Sequence, residues 1–144
     1  SVRSIGEFAF GGCLGLISVK ISDSVTFIKD STFVGCNRLT SITIPNGVTK
    51  IGDSAFAGCA SLTNVHIPET VMTIDDQAFF DCNEVKNIII SDSVTEIGSH
   101  AFDNCLSLET IRYTGTEEEW NAITKAENWD ANTGSYTIHF NYIP

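Results

Sequence analysis

Apolar and polar positions recur along this chain with a fixed period of 23 residues. Phenylalanine stands at Phe10, Phe33, Phe56, Phe79 and Phe102, and a cysteine follows three residues later each time, at Cys13, Cys36, Cys59, Cys82 and Cys105. Further columns keep the spacing: Leu16, Leu39, Leu62, Val85 and Leu108; Val19, Ile42, Val65, Ile88 and Ile111; Ile21, Ile44, Ile67, Ile90 and Tyr113; Val25, Val48, Val71 and Val94; Ile5, Ile28, Ile51, Ile74 and Ile97. Self-similarity at such a period is the signature of a repeat architecture in which each unit contacts its neighbours. Within each unit, Ile42-Thr43-Ile44 and its equivalents alternate apolar and polar, which predicts one short strand with a buried and a wet side. On the return, Asp53-Ser54-Ala55-Phe56 begins with an N-cap type residue, predicting a single helical or 3₁₀ turn that carries Ala55 and Phe56 inward. Stacked coils put the strands in register, about 4.8 Å apart, as a parallel sheet. The expected fold class is therefore a repeat solenoid, with a parallel β-sheet on one face and short helical or 3₁₀ returns on the other. One coil cannot bury enough apolar surface to offset its own ordering, so stability has to come from stacking.

The period breaks after Tyr113, and residues 114–144 are expected to form a helix-strand cap of the same domain as the repeats of residues 1–113. Thr116 and Glu119 make a capping box, with Glu117, Glu118 and Glu119 in a first helical turn where the dipole favours them. Trp120 falls 15 residues after Cys105, the slot of Ile28, Ile51, Ile74 and Ile97. Ile123 and Trp129 are expected to cover the open end of the core. Tyr136 to Phe140 alternates like a sixth strand, with Ile138 standing 27 residues after Ile111. At the other end Val2 and Ile5 belong to a partial repeat, so Ser1 reads as a boundary within a longer protein with further repeats before it.

The run from Cys36 to Phe56, Cys-x-x-Leu-x-x-Ile-x-Ile-Pro-x-x-Val-x-x-Ile-x-x-x-Ala-Phe, resembles the BspA-like (Treponema-type) leucine-rich repeats. The resemblance spans about residues 2–113, and the tail from Tyr113 to Ile123 is similar to the terminal segment of many such proteins. Ser22 and Ser91 depart from it where Pro45 and Pro68 keep the proline, and Thr32 replaces the usual alanine. The resemblance implies a secreted or cell-surface binding module that adheres to a protein partner, either a host matrix protein or a cell-surface protein.

The chain's 144 residues suit one domain, and no apolar run reaches the length of a membrane span. Ser1 and the residues after it lack the layout of a signal peptide. A formal charge of −10 disfavours nucleic acid and anionic membrane as partners, because both need clustered Lys and Arg. Stacked one per coil, the cysteines form a line roughly 20 Å long that cannot converge on one metal ion, and parallel ladder side chains do not point at each other for disulfide pairing. They read as buried free thiols acting as small apolar residues. Glu7, Asp30, Asp53 and Asp76, continued by Ser99, could be mistaken for calcium ligands. One carboxylate per coil makes no coordination sphere, and each is expected to cap the turn that follows it. His66 and His139 share an outward column with Ile89 and Arg112 between them, His100 lies on the return side, and all three read as solvated surface residues. No nucleophile with a base in reach emerges and Gly11-Gly12 is not a phosphate loop, so neither an enzyme nor a cofactor is expected.

What remains as a candidate surface is the exposed sheet face. One outward column is small and polar: Ser18, Ser41, Asn64, Asn87 and Thr110, with Thr137 after them. The other varies from coil to coil and is locally more basic than the acidic remainder: Lys20, Thr43, His66, Ile89, Arg112 and His139. Protein recognition through these columns is the first reading. The alternatives are a structural spacer that displays another domain, and a carbohydrate-binding surface built on the Ser, Asn and Thr column.

Overall fold

Every 23-residue repeat closes one turn of a coil, and the computed structural model describes this for residues 2–144. Ser1, the expected boundary, lies outside the described residues. In chain order the strands are β1 (Ser18–Lys20), β2 (Phe27–Ile28), β3 (Ser41–Thr43), β4 (Lys50–Ile51), β5 (Asn64–Ile67), β6 (Thr73–Ile74), β7 (Asn87–Ile90), β8 (Glu96–Ile97) and β9 (Thr110–Tyr113). Helix α1 (Glu117–Ala122), β10 (Thr124–Lys125) and β11 (Thr137–His139) complete the chain. All pairing is parallel. The odd-numbered strands carry the outward columns and lie in register: β1 on β3, then β5, β7, β9 and β11 in sequence. Between β3 and β5 the ladder is interrupted, with Thr63 N–H reaching Thr40 O only at 3.4 Å.

The even-numbered strands form a second parallel ladder that the pattern did not foretell, so each coil carries two strands where one was expected. Two residues are too few to show an alternation, and the column of Ile28, Ile51, Ile74 and Ile97 looks in the sequence like any other core column. Neighbouring coils supply the hydrogen-bond partners that make it sheet.

The returns keep the 3₁₀ form of the expected helical or 3₁₀ turn in their local bonds without winding into a continuous helical turn. They contain i+3 to i bonds of the 3₁₀ kind, such as Ala55 N–H to Gly52 O at 3.2 Å, Ala57 N–H to Ser54 O at 3.1 Å and Cys59 N–H to Phe56 O at 3.1 Å. These alternate with bonds to the next coil: Ser54 N–H to Asp76 O at 2.9 Å, Phe56 N–H to Ala78 O at 2.8 Å and Gly58 N–H to Phe80 O at 2.7 Å. The alternation needs left-handed backbone at two columns. One is Phe8, Ser31, Ser54, Gln77 and His100, with φ of 54° to 55°. The other is Gly12, Gly35 and Gly58, continued by Asp81 and Asn104, the residue types that adopt this conformation most readily. A left-handed residue ends a helix, so the return stays a chain of turns and shares half its donors with its neighbour.

The core runs the length of the stack. Phe10, Phe33, Phe56, Phe79 and Phe102 pile face on face with centroids 5.1 to 5.3 Å apart. Cys36, Cys59, Cys82 and Cys105 are buried and unpaired, while Cys13 is only half-buried, against expectation, because the first coil has a described neighbour on one side only. Thr32 is fully buried where alanine is usual, and its hydroxyl donates to Lys29 O at 2.7 Å, which satisfies it within the turn.

Asp30 and Asp76, expected to cap the turns that follow them, bond across to the next coil. Asp30 Oδ1 accepts from Asp53 N–H at 3.0 Å and Asp76 Oδ1 from Ser99 N–H at 2.7 Å, each on the following coil. Both lie over a glycine of that coil, Gly52 and Gly98, where a Cβ would collide with the carboxylate. The coil after Asp53 carries Asp75 at the position of these glycines; Asp75 pairs with Lys50 at 2.8 Å, and Asp53 accepts from Ser54 Oγ at 2.6 Å.

Beyond Tyr113 the chain leaves the period to form α1. Its capping box has both bonds, Thr116 Oγ1 accepting from Glu119 N–H at 3.2 Å and Glu119 Oε2 from Thr116 N–H at 2.8 Å. The inserted helix shifts the register, so Lys125 pairs with Ile97 on the second ladder, and Trp120, expected in that slot, does not. Trp120 is nonetheless buried, edge-on to Tyr113 at 5.2 Å and to Trp129 at 5.9 Å, and Trp129 is edge-on to Phe102 at 6.2 Å. Lys125 Nζ donates to Trp120 O at 2.6 Å and sits 4.8 Å over the Trp120 ring. After it, Phe102 N–H to Trp129 O at 2.8 Å and Asn104 N–H to Ala131 O at 3.0 Å repeat the bonding of the returns, and Ile138 pairs with Ile111 as the spacing indicated. Among the described residues no helix is long and apolar enough to cross a membrane.

Candidate functional site: the exposed face of the strand ladder

The outward side chains come from β1, β3, β5, β7, β9 and β11, whose pleat sends alternate residues away from the core. Register sets Ser18 beside Ser41, Asn64 beside Asn87, Asn87 beside Thr110 and Thr110 beside Thr137. It likewise sets Lys20 beside Thr43, His66 beside Ile89, Ile89 beside Arg112 and Arg112 beside His139. Both columns are thus gathered on one face. Ser18, Lys20, Ser41, Thr43, Asn64, His66, Thr137 and His139 are exposed, whereas Asn87, Ile89, Thr110 and Arg112 are half-buried.

The polar column is bonded to itself. Thr110 Oγ1 donates to Asn87 Oδ1 at 2.7 Å, Asn87 Nδ2 to Asn64 Oδ1 at 3.0 Å, and Asn64 Nδ2 to Thr63 Oγ1 at 3.1 Å. Stacked amides at ladder spacing suit this head-to-tail chain, and each keeps an N–H unused by it. Sequence alone marked these residues as polar; which of them bond each other depends on their being brought within 3 Å.

The varied column holds the charge. Arg112 lies over the Tyr142 ring with its guanidinium carbon 5.4 Å from the centroid. Tyr142 was not foreseen as part of this surface, and no periodic signal could have found it, because it follows the last strand. Thr137 Oγ1 and His139 Nε2 are 3.2 Å apart. A shallow depression of about 300 Å³ opens where the ladder is interrupted, lined by Ser41, Asn64, His66, Asn87, Ile89 and Arg112. A second hollow of about 410 Å³ at the rim shares His66 and adds Asn46, Glu69, Asp92, Thr114 and Pro144.

His100, expected as a solvated surface residue, is paired instead: its Nδ1 is 2.7 Å from Asp103 Oδ2, and Asp103 is buried and also accepts from Asn132 Nδ2 at 3.1 Å. This links the last return to the C-terminal segment and is remote from the strand face in the coil. The buried thiols of Cys36, Cys59, Cys82 and Cys105 are inert by position. Each of these four donates to the phenylalanine carbonyl of the preceding coil, from Cys36 Sγ to Phe10 O at 3.0 Å to Cys105 Sγ to Phe79 O at 3.5 Å. Burial pushes Cys59 and Cys105 up to about 12 and Cys82 well above the ordinary thiol range, the opposite of an activated nucleophile. Among the described residues no group of three or more His, Cys, Asp or Glu is arranged to hold a metal ion.

Comparison with known proteins gives one consistent result. A model of the BspA type leucine rich repeat region matches residues 3–124 in 6 copies. The structure of a leucine rich cell surface protein from Faecalibacterium prausnitzii A2-165 is 42% identical with a TM-score of 0.80, over 82% of this chain and 31% of that one. The leucine rich repeat protein of T. pallidum is 29% identical with a TM-score of 0.72, over 93% of this chain and 64% of that one. The pneumococcal vaccine antigen PcpA, at 22% identity and a TM-score of 0.70, shares the fold, over 87% of this chain and 30% of that one. This chain therefore spans less than two thirds of the length of each. No curated protein matches it significantly. With the period, the stacked Phe and Cys columns and the match over most of its length in agreement, the chain belongs to the BspA-type leucine-rich repeat family.

Proposed function

We propose that this chain is a non-catalytic binding module of a secreted or cell-surface protein, and that it recognises a protein partner through the outward strand columns in an adhesive role. The observation that carries this is the contrast between the two sides of the same strands. The inward column keeps Val or Ile from Val19 to Ile138, while the column of Lys20, Thr43, His66, Ile89, Arg112 and His139 changes chemistry at nearly every coil. A repeat scaffold carries specificity on such a face without disturbing its core. The Faecalibacterium prausnitzii neighbour is described as a cell surface protein, which supports the location. Residues 114–144 serve this reading as a cap of the same domain as the repeats in residues 1–113, closing the far end of the face.

The test is the variant carrying Lys20→Ala, His66→Ala and Arg112→Ala. Its melting temperature should stay close to that of the parent, since Lys20 and His66 are exposed, where substitutions usually cost within about 0.5 kcal/mol each, and the half-buried Arg112 gives up one surface contact with Tyr142, worth about 0.5–1 kcal/mol. Its binding to immobilised matrix proteins and to whole cells should fall. Binding that persists in this variant but is lost on changing Glu7, Asp30, Asp53 and Asp76 in a chain that still melts cooperatively refutes the choice of face; the melt is the control because Asp30 and Asp76 also bond to the following coil. The spacer reading has its own support in the Thr110-Asn87-Asn64 chain, where face residues stabilise the stack directly, and it gains if neither set of changes alters binding.

A further inference from the structure

We infer that the ligand of the strand face is an acidic segment in extended conformation, lying across the strands from Lys20 to Arg112. This rests on the reading of that face as the binding surface.

The argument begins with where charge is absent. The chain carries 18 Asp and Glu against 8 Lys and Arg, yet no Asp or Glu occurs in any of β1, β3, β5, β7, β9 or β11. The face is a carboxylate-free strip on an acidic protein, and its titratable groups are Lys20, His66, Arg112, His139 and, at the inner end of β9, the buried Tyr113. Among the described residues the ion pairs are Lys50 with Asp75 and His100 with Asp103, both off this face. In a protein with so many carboxylates, the cations of the face remain without one. A sheet facing water needs only polar residues, which Ser and Thr supply in the neighbouring column; unpaired cations in a single column, with the carboxylates of the molecule kept to the returns and rims, are complementary to an anionic partner.

The geometry suits an extended chain more than a point anion. Four ladder steps of about 4.8 Å separate Lys20 from Arg112, about 19 Å in all, the reach of roughly six extended residues at about 3.3 Å each. Alternate side chains of an extended segment face the same way, so carboxylates at every second residue meet the face together. Arg112 is already held over Tyr142, which lowers the ordering cost of a forked contact to a carboxylate. Asn64 and Asn87 retain amide N–H groups beside this track, and the depression between β3 and β5 receives part of the segment. Glu69 and Asp92 border the rim hollow next to His66, so the acidic groups are kept to the strand side of that histidine.

Three capped octapeptides test this on the ¹⁵N-labelled chain by NMR titration: four Gly-Glu, four Gly-Gln and four Gly-Lys repeats. The Gly-Glu peptide should shift the amides of β1, β5 and β9 and bind at least about ten-fold more tightly than the Gly-Gln peptide. The preference should shrink to about two-fold or less in 0.5 M salt, where surface charges are screened. It should shrink likewise in the folded Lys20→Gln, His66→Gln and Arg112→Gln triple variant, whose dispersed spectrum verifies its fold. If the Gly-Gln or Gly-Lys peptide engages these strands as well as Gly-Glu does, the acidic-ligand inference is overturned while the face stands. If the Gly-Glu peptide acts only around Lys29 and Lys50 on the second ladder, or no peptide moves the strand face, both fail.

Discussion

Cys36, Cys59, Cys82 and Cys105 fill the core and also satisfy a carbonyl. Their thiols donate to the phenylalanine of the coil before, and so tie each Cys column step to the adjacent Phe step. Burial holds the proton on them, which ties stability to pH. Below about 9.0, the ordinary thiol value, both folded and unfolded chains keep the proton. Between there and about 12 the unfolded chain releases protons at Cys59 and Cys105 that the folded chain retains, so stability falls as pH rises through that window. The slope is at most about 1.4 kcal/mol per pH unit for each such thiol. Urea unfolding at pH 8.5, 9.5 and 10.5 should show the decline, and a Cys59→Ala, Cys105→Ala variant should show a shallower one. Identical slopes would mean that these thiols are not shielded as placed. At neutral pH only Cys13 should react with a thiol reagent before unfolding, because it alone is half-buried.

Coils are joined by more than the two ladders, and the acidic column is the clearest case at the level of an element. Asp30 and Asp76 reach over Gly52 and Gly98 to a backbone N–H of the next coil. A Cβ at Gly98 would lie 2.5 Å from the backbone N and from Oδ1 of Asp76. Gly98→Ala should therefore destabilise by about 1–3 kcal/mol, the range for forcing atoms into packed space. Gly6 occupies the same column at the first coil, where a Cβ meets nothing within 4 Å, so Gly6→Ala should leave the unfolding midpoint almost unchanged. Thermal melts of the two variants check the contrast, and equal effects would remove the carboxylate clamp as its cause.

At the scale of the whole molecule the two ends of the core differ. Ile5, Phe10, Leu16 and Val19 are only partly buried at the first coil, whereas Tyr113, Trp120 and Ile123 are buried at the last. If stability is a sum over neighbouring coils, removing residues 115–144 exposes Tyr113, Phe102 and Ile111 with nothing left to cover them. The truncated chain should aggregate or melt without cooperativity, as followed by light scattering and calorimetry. A monomeric, cooperatively melting truncation would make that segment an appendage.

Periodicity by itself was enough to determine the coil, the inward columns and the register of the outward strands, and the local Thr116 to Glu119 spacing determined the capping box, because each depends on side-chain type at a fixed spacing. It also marked Lys20, His66 and Arg112 as one column. Only the tertiary structure decided the rest. The second ladder exists because neighbouring coils supply partners to stretches of two residues, too short for any alternation to show. Left-handed backbone at Ser31, Ser54 and Gln77 broke the expected helical or 3₁₀ turns into isolated 3₁₀-type bonds that alternate with donors shared with the next coil, although the Gly, Asp and Asn of the second left-handed column were a visible sign. The five extra residues between Ile97 and Lys125, a spacing of 28 against 23, moved Lys125 into the slot that counting assigned to Trp120. On the face itself the sequence could show which side chains point out. The period set Thr110, Asn87 and Asn64 side by side, but their mutual hydrogen bonds depend on side-chain orientation, and the seat of Arg112 on Tyr142 on an approach between residues that no repeat spacing relates.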